Sequence, residues 1–295
     1  MLDFKLKVFY SAANSLSFTR AAEENFVSQP AVSKAIKHLE HQIGQDLFER
    51  NGSKILLTQA GCLLKKHIDE QVVAEKQLFF DLGMLNNEHK GVFTLGASTT
   101  IAQYVIPKIL LKFSNSNPKL EVKMVSGNTQ EIEREALNKT IDLGIVEGFS
   151  HRSGLRYIPF MSDKLTVVCH RSNPLFFRQE IAIEHLKSQP LILRERGSGT
   201  LEVIEHVLKE RGLNISDLNV ELYLGSTESI KNALEAGTCI AIVSEQSVRN
   251  EIANGILKPL SIRDLEFERK FSFVVPYGGA TGIADSFMQF ALFNR

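Results

Sequence analysis

An α/β chain with an α-rich N-terminal head is what this sequence predicts, and three observations carry the prediction. Between Phe18 and Thr58 two helical stretches meet at a break that ends in Ser28-Gln29-Pro30. From Thr58 no proline interrupts the chain until Pro107, and apolar residues recur at three- and four-residue intervals, as a long helix requires. Beyond Gly91 short apolar runs alternate with amphipathic stretches, the texture of parallel strands joined by helices.

Taken in order, Asp3 to Asn14 reads as a first helix, with Phe4, Leu6, Val8 and Phe9 around one side and Lys5 and Lys7 outside. A second runs from Thr19 to Asn25 with Ser17 as N-cap, and Ala21 and Ala22 are small enough for another helix to cross closely. It stops early, because Phe26 and Val27 cannot both be comfortably solvated and Ser28 caps a new helix. Pro30 falls in the first turn of that helix, where its missing N–H costs nothing. Val32, Ile36, Leu39 and Ile43 then form one apolar stripe, which leaves Gln29, Pro30, Ser33, Lys34 and Lys37 on the other face. Leu47 to Arg50, the turn signal Asn51-Gly52 and Lys54 to Thr58 predict a small hairpin with Arg50 and Lys54 at its tip.

Helix, tight turn and a second helix with polar first turns suit a helix-turn-helix, whose recognition helix meets base edges in the major groove. Gln29 can pair bidentately with adenine, Ser33 can serve several bases or a phosphate, and the lysines anchor phosphates. Arg50 and Lys54 suit a wing that reaches the backbone or a narrow minor groove. The plain alternative is a helical hairpin with a solvated charged face.

Along the long helix, Leu64, Ile68 and Val72, then Leu78, Leu82 and Leu85, mark a seam for a partner. It is either a helix packed on its own domain or a dimerising linker. The linker is preferred, since two heads reading a two-fold site must sit about one DNA turn apart. The polar run from Asn86 to Gly91 ends it. The expected domains are therefore 1–58, the linker 59–90, and an effector-binding domain 91–295.

In that domain the apolar runs Val92 to Ala97, Leu120 to Val125, Leu143 to Val146, Leu165 to Cys169, Leu191 to Leu193, Val220 to Leu224 and Ile240 to Val243 read as strands. Ligands of such sheets bind beyond the carboxyl ends of strands. Those ends carry Ser98, Thr99 and Thr100; Gly127, Asn128 and Thr129; Glu147; Arg194, Glu195, Ser198, Gly199 and Thr200; and Ser226 and Thr227. Singly, each hydroxyl simply caps a helix. Together, exposed N–H groups at several helix starts and a nearby guanidinium predict a site for a small anion, with His151, Arg152, His170 and Arg171 as further cations.

Bulk properties narrow the class. The 295 residues, 43% hydrophobic, are enough for about two domains with real cores. No run approaches the ~20 apolar residues of a membrane helix, and the N-terminus lacks a secretory pattern, so a cytoplasmic protein without membrane partners is expected. Cys62, Cys169 and Cys239 are far apart and lack CxxC spacing, against a disulfide framework or a zinc site; a redox role for one of them is the minority reading. The 34 basic and 34 acidic residues cancel, yet DNA affinity follows the phosphates neutralised locally. No paired carboxylates, metal-spaced cluster, nucleophile elbow or phosphate loop points to an enzyme, and no catalytic residue, metal or cofactor is called for. The alternative is a two-lobed small-molecule-binding protein or enzyme using the same cleft.

SFTRAAEENFVSQPAVSKAIKHLEHQIGQDLFER followed by LTQAG resembles the N-terminal domain of LysR-type transcriptional regulators residue by residue. The resemblance implies a winged helix-turn-helix, with the recognition surface on Gln29, Pro30, Ser33, Lys34 and Lys37 and the wing on Arg50 and Lys54. The family usually carries arginine where this chain has Lys34 and Lys37, which favours phosphate contact over bidentate guanine reading. The rest of the chain resembles the family's periplasmic-binding-protein-like sensor, which implies subdomain I from 91–162 and 267–295, subdomain II from 163–266, and two crossover strands as hinge. LRERGSGT resembles the LREPGSGT element of members that regulate carbon fixation and sulfur assimilation, with Arg196 in place of proline and Leu201 where many relatives carry arginine. An oxyanion, or a phosphorylated or carboxylated metabolite, is the effector so implied. It would change the cleft angle and thereby the DNA heads. The implied partners are double-stranded promoter DNA, further copies of the chain as homodimer and homotetramer, and RNA polymerase.

On this reading Gln29→Ala or Ser33→Ala weakens operator binding by about 1–3 kcal/mol and random DNA less, which paired binding curves test. Replacing Lys37 or Arg50 lowers the salt slope by about one on both DNAs.

Overall fold

The computed structural model describes residues 2–51, 54–85, 91–149, 151–277 and 282–294. The chain divides into two compact units, 1–86 and 87–295. The long helix belongs to the first, whereas the sequence had suggested a separate linker.

In the head, α1 (Phe4–Ser15), α2 (Phe18–Glu24) and α3 (Gln29–Ile43) precede the hairpin of β1 (Phe48–Asn51) and β2 (Lys54–Leu57), and α4 (Gln59–Leu85) follows. Asp3 caps α1 by accepting from Leu6 N at 2.8 Å, and Ser17 caps α2 by accepting from Arg20 N at 3.3 Å. Ser28 precedes α3 but makes no side-chain cap bond. Val8, Phe9, Ala21, Ala22, Val32, Ile36 and Leu39 form one core, and burying each large side chain contributes about 1.5–3 kcal/mol. Ile43, expected in that stripe, is 43% exposed, since α3 outruns its partners by then. Phe26 is 96% exposed while Val27 packs against the core, so the turn before α3 buries one of its two apolar side chains.

The α4 seam is divided. Ile68 is buried in the head's own core, and Leu64 and Val72 pack against it, so this half of the seam holds α4 on its own head. Leu78 is 55% exposed; the side chains of Leu82 and Leu85, and the polar run 86–90, lie outside the described residues. Thr58 locks the start of α4, donating to Asp46 O at 2.6 Å and accepting from Gly61 N at 3.0 Å.

The second unit is organised on one ten-stranded mixed sheet. Its first half comprises β3 (Gly91–Ser98), a π-helical turn (Ile101–Val105), α5 (Ile106–Ser116), β4 (Leu120–Gly127), α6 (Thr129–Leu137) and β5 (Leu143–Glu147). A long strand, β6 (Leu155–His170), leads to the second half: β7 (Glu180–Ile181), α7 (Ile183–Ser188), β8 (Leu191–Arg194), α8 (Gly199–Glu210), β9 (Val220–Leu224), α9 (Thr227–Glu235), β10 (Ile240–Ser244), α10 (Glu245–Ala253) and β11 (Leu257–Ile262). The chain returns through β12 (Phe267–Pro276) to α11 (Gly282–Phe293).

The sheet order is β4-β3-β5-β12-β6-β10-β8-β9, with β11 on β6 and β7 on β11. Each apolar run read as a strand is one. The helix read from Ile101 to Phe113 begins as a π-helical turn and becomes regular at Ile106, next to Pro107. The two crossover strands bind the halves: β12 pairs with β6 from Phe267↔Leu165 to Pro276↔Leu155, with an irregularity at Phe271/Ser272. Phe271 to Val274 also pair with β5, while Leu165 to Cys169 of β6 pair with β10. Phe93, Phe113, Phe287 and Phe290 fill the first half with ring centroids 5.0–5.9 Å apart. Leu165, Val167, Leu193, Ile204 and Ile242 are among the side chains that fill the second.

A Cβ on Gly61 would lie 2.1 Å from the carbonyl oxygen of Leu47. Gly61→Ala therefore costs about 1–3 kcal/mol by forcing α4 off the strand start, and thermal unfolding of the full chain should show a lower first transition.

Candidate functional site

On the head, Gln29, Pro30, Lys34 and Lys37 are exposed on one face of α3, with Ser33 half-buried among them. Gln29 Nε2 donates to Ser33 Oγ at 3.1 Å, so the two predicted base readers are presented as a pair. The Arg50 and Lys54 side chains lie outside the described residues.

In the second unit side-chain bonds join the ends of β3, β5 and β8, and most of the predicted strand-end residues already have protein partners. Asn128 and Glu131 form a reciprocal capping box, Ser198 caps α8 by accepting from Thr200 N, and Ser226 caps α9 by accepting from Ser229 N. Thr129 donates to the carbonyl of Glu147 at 2.9 Å. The plain capping role thus accounts for Asn128, Ser198 and Ser226. Thr227 is buried at the start of α9, and Gly127 lies against the Glu131 side chain.

Two guanidinium groups organise what remains. Arg194, 1% exposed at the end of β8, donates from Nε to Glu195 Oε2 at 2.8 Å, and from Nη2 to Thr99 Oγ1 at 2.8 Å and Glu195 Oε1 at 3.1 Å. Glu195, predicted as a ligand contact, therefore neutralises the cation beside it. The second group is Arg269, 2% exposed on β12, which the sequence reading missed. Its Nε donates to Asp163 Oδ2 at 2.7 Å, and its Nη1 reaches Glu147 Oε1 at 3.1 Å and Thr200 Oγ1 at 2.8 Å. Asp163 also accepts from Ser244 Oγ at 2.9 Å; burial pushes its carboxyl above the usual range, against the pull of Arg269 and Ser244. Glu147 Oε1 further accepts from Thr200 Oγ1 at 3.0 Å and faces Thr100 Oγ1 at 3.5 Å.

Gly199 makes this meeting possible. A Cβ there would sit 2.0 Å from the Glu147 carbonyl oxygen, so only glycine lets the start of α8 touch the end of β5. Around these groups four buried polar atoms have no partner among the described residues: Ser98 Oγ, Glu147 Oε2, Arg194 Nη1 and Arg269 Nη2. Further bonds cross the cleft, from Gln130 N to Gly197 O at 3.2 Å and from the Tyr104 hydroxyl to Glu228.

The signal for Arg269 was present. Phe267, Arg269, Phe271 and Phe273 are all buried at period two, so a charge stands on the inward face of a strand. Asp163 and Arg269 also line a cavity of about 860 Å³ bordered by Phe149, Tyr157, Lys164 and Gln246, which includes none of the predicted strand-end residues. Of the extra cations, His151 stacks on Tyr157 at 4.4 Å and Arg152 lies 3.9 Å from Glu133. His170, the last residue of β6, bonds Ser172, and Arg171 just after it donates its amide to Ile256 O at 3.1 Å. Cys62 is exposed, whereas Cys169 is buried and its thiol is pushed up to about 11 by burial.

A helix-turn-helix head joined to a two-halved ligand-binding sheet defines a ligand-responsive DNA-binding regulator. The chain belongs to the LysR family of transcriptional regulators. Residues 4–62 match the bacterial regulatory helix-turn-helix protein, lysR family, and residues 86–292 match the LysR substrate binding domain. It is 29% identical to the HTH-type transcriptional regulator CysL of Bacillus subtilis, covering 91% of this chain and 89% of that protein. It is 34% identical to the HTH-type transcriptional activator CmpR of Synechocystis, covering 89% and 84%. The regulatory domain of CcmR from Synechocystis PCC6803, solved in complex with 2-PG, superposes with a TM-score of 0.63 at 29% identity, over 70% of this chain and 97% of that one.

Removing one partner of the Arg269 network leaves an uncompensated buried charge. Asp163→Ala should cost about 3–5 kcal/mol in chemical denaturation, and adding Arg269→Met should recover part of the loss.

Proposed function

We propose that this LysR-type regulator is controlled by a small anion, phosphorylated or carboxylated, bound at the strand ends by Ser98, Arg194 and Arg269, beside Thr100 and Thr200, whose hydroxyls hold Glu147. One observation carries the reading: two guanidinium groups and a hydroxyl are buried there with donors that no protein group satisfies. Buried donors without partners cost about 1–3 kcal/mol each, more when charged, and an anion would recover that cost. The 2-PG held by the CcmR regulatory domain is an anion of this kind.

Gln29 and Ser33 are the proposed base readers, Lys34 and Lys37 the phosphate anchors, and Arg50 and Lys54 the wing contacts on double-stranded promoter DNA. The proposed assembly is a homodimer through the distal part of α4, beyond the residues that pack on the head, with pairs of dimers as tetramers and RNA polymerase as the downstream partner. Among the described residues no helix is long and apolar enough to cross a membrane, and a cytoplasmic site of action suits a promoter-binding protein.

Calorimetric titration of the full chain with 2-phosphoglycolate tests the effector reading. Saturable binding is expected, weakened about tenfold or more by Ser98→Ala and by Thr200→Ala, each of which removes about 1–3 kcal/mol of hydrogen bonding. Absence of saturable heat with this and other phosphorylated, carboxylated or sulfate anions would falsify it.

A further inference from the structure

We infer that the cleft selects oxyanions that keep a proton near neutral pH, phosphate monoesters above all, against fully deprotonated sulfate, and that Glu147 is the selecting group. The inference rests on the anion reading above and deepens it to the class of anion. Its basis is how the Glu147 and Arg269 side chains divide their bonds.

Among the described residues, all the bonds to the Glu147 carboxylate fall on one oxygen. Oε1 faces Thr100 Oγ1 at 3.5 Å, accepts from Thr200 Oγ1 at 3.0 Å and meets Arg269 Nη1 at 3.1 Å. Oε2 is equally buried and accepts from nothing. Arg269 mirrors this: Nε holds Asp163, Nη1 holds Glu147 and Thr200, and Nη2 donates to nothing. A guanidinium and a carboxylate commonly lock together through two parallel bonds. Here they share a single contact, which leaves one acceptor and one donor free on adjoining groups. Ser98 Oγ and Arg194 Nη1 add unpartnered donors, and Arg194 is held through Thr99, between Ser98 and Thr100.

The unmet inventory is therefore several donors and, beside the lone pairs of the Ser98 hydroxyl, one charged acceptor, which belongs to a salt-bridged carboxylate. Sulfate offers only acceptor oxygens, so it could satisfy the guanidinium groups but would turn a lone pair toward Oε2. A monoprotonated phosphate ester meets both demands. Its anionic oxygens accept from Arg269 Nη2, Arg194 Nη1 and Ser98 Oγ, while its P–O–H donates to Glu147 Oε2. Leaving a buried charged acceptor unpaired is the kind of penalty that gives strong discrimination between near-isosteric ligands. Gly199 fixes the arrangement, because the start of α8 could not otherwise press against the Glu147 backbone. The other charged groups around Glu147 are Asp163 on β6, Arg269 on β12, Arg194 and Glu195 at the end of β8, and Glu202, which lies against Gly148 and accepts from Phe149 N.

The test is calorimetric titration of the full chain with 2-phosphoglycolate and with sodium sulfate, at about pH 6 and about pH 8, given a second phosphate-ester pKa of about 6. The wild type should bind the ester at least about tenfold more tightly than sulfate at the lower pH. Ester affinity should fall by roughly fiftyfold at the higher pH, following the loss of the monoprotonated form, with sulfate affinity flat. Glu147→Gln offers an amide donor in place of the second oxygen, so it should bring the two anions within about threefold of each other and flatten the ester's pH dependence. Equal binding of ester and sulfate by the wild type overturns the inference, as does a ratio left unchanged by Glu147→Gln, and either result leaves the anion site itself standing. Binding of neither anion overturns this inference, and the wider panel of phosphorylated and carboxylated anions named above then decides the anion reading. Should Glu147→Gln lose its cooperative thermal transition, the wild-type ratio and its pH dependence decide.

Discussion

A guanidinium buried near the start of a crossover strand sets the terms for the effector unit. Taking a charge of that size out of water costs several kcal/mol even after the surroundings relax, and only good geometry offsets it. Arg269 obtains that geometry from elements far apart in sequence: Glu147 at the end of β5, Asp163 in the middle of β6 and Thr200 at the start of α8. Each must be in place for the others to be tolerated. The register of β12 on β6 is held by the same demand, since Arg269 stands opposite Asp163 in the strand pairing. A shift of one residue would turn the guanidinium to the other face and bring Glu268 or Lys270 inward.

The same network divides the polar strand ends into two groups. Asn128, Ser198 and Ser226 satisfy the first N–H groups of their own helices, which is local chemistry that any helix start needs. Thr99, Thr100 and Thr200 instead bond to Arg194 or Glu147, across tens of residues of sequence. Within the second group the Thr99–Arg194 and Thr200–Glu147 bonds join residues from both halves, whereas Thr100 faces Glu147 within the first, so a ligand is felt across the halves through Thr99 and Thr200.

Legibility in the sequence followed the range of the interactions. Most of the head could be read because its signals are contiguous: the Ser17 cap, the paired alanines, and proline beside the start of α3. The exposure of Ile43 and the burial of Ile68 could not, since both depend on where a helix ends relative to its neighbours, which periodicity does not encode. In the effector unit, apolar runs such as Leu191 to Leu193 announced strands buried on both faces. The part of β6 before Leu165 carries Pro159, Ser162 and Asp163, and β12 opens with Glu268, Arg269 and Lys270 between Phe267 and Phe271, so neither reads as an apolar run. The Asp163–Arg269 pair fell in that gap. Functional groups expected beyond the carboxyl ends of strands do not include a charge near a strand's start, although the alternation of Phe267, Arg269, Phe271 and Phe273 places it inward.

The bonds across the cleft also constrain how a ligand could act. Thr200 with Glu147, Arg194 with Thr99, Gln130 with Gly197 and Tyr104 with Glu228 join the two halves through protein atoms. A molecule that merely bridged the halves would duplicate contacts the protein makes itself, and equal affinity for two conformations shifts no equilibrium. Bias between states must come from groups whose needs the protein leaves unmet in this one. Those groups are attached to Arg194, Arg269, Glu147 and Ser98, so the energy available for switching is concentrated where the crossover strands meet the strand ends.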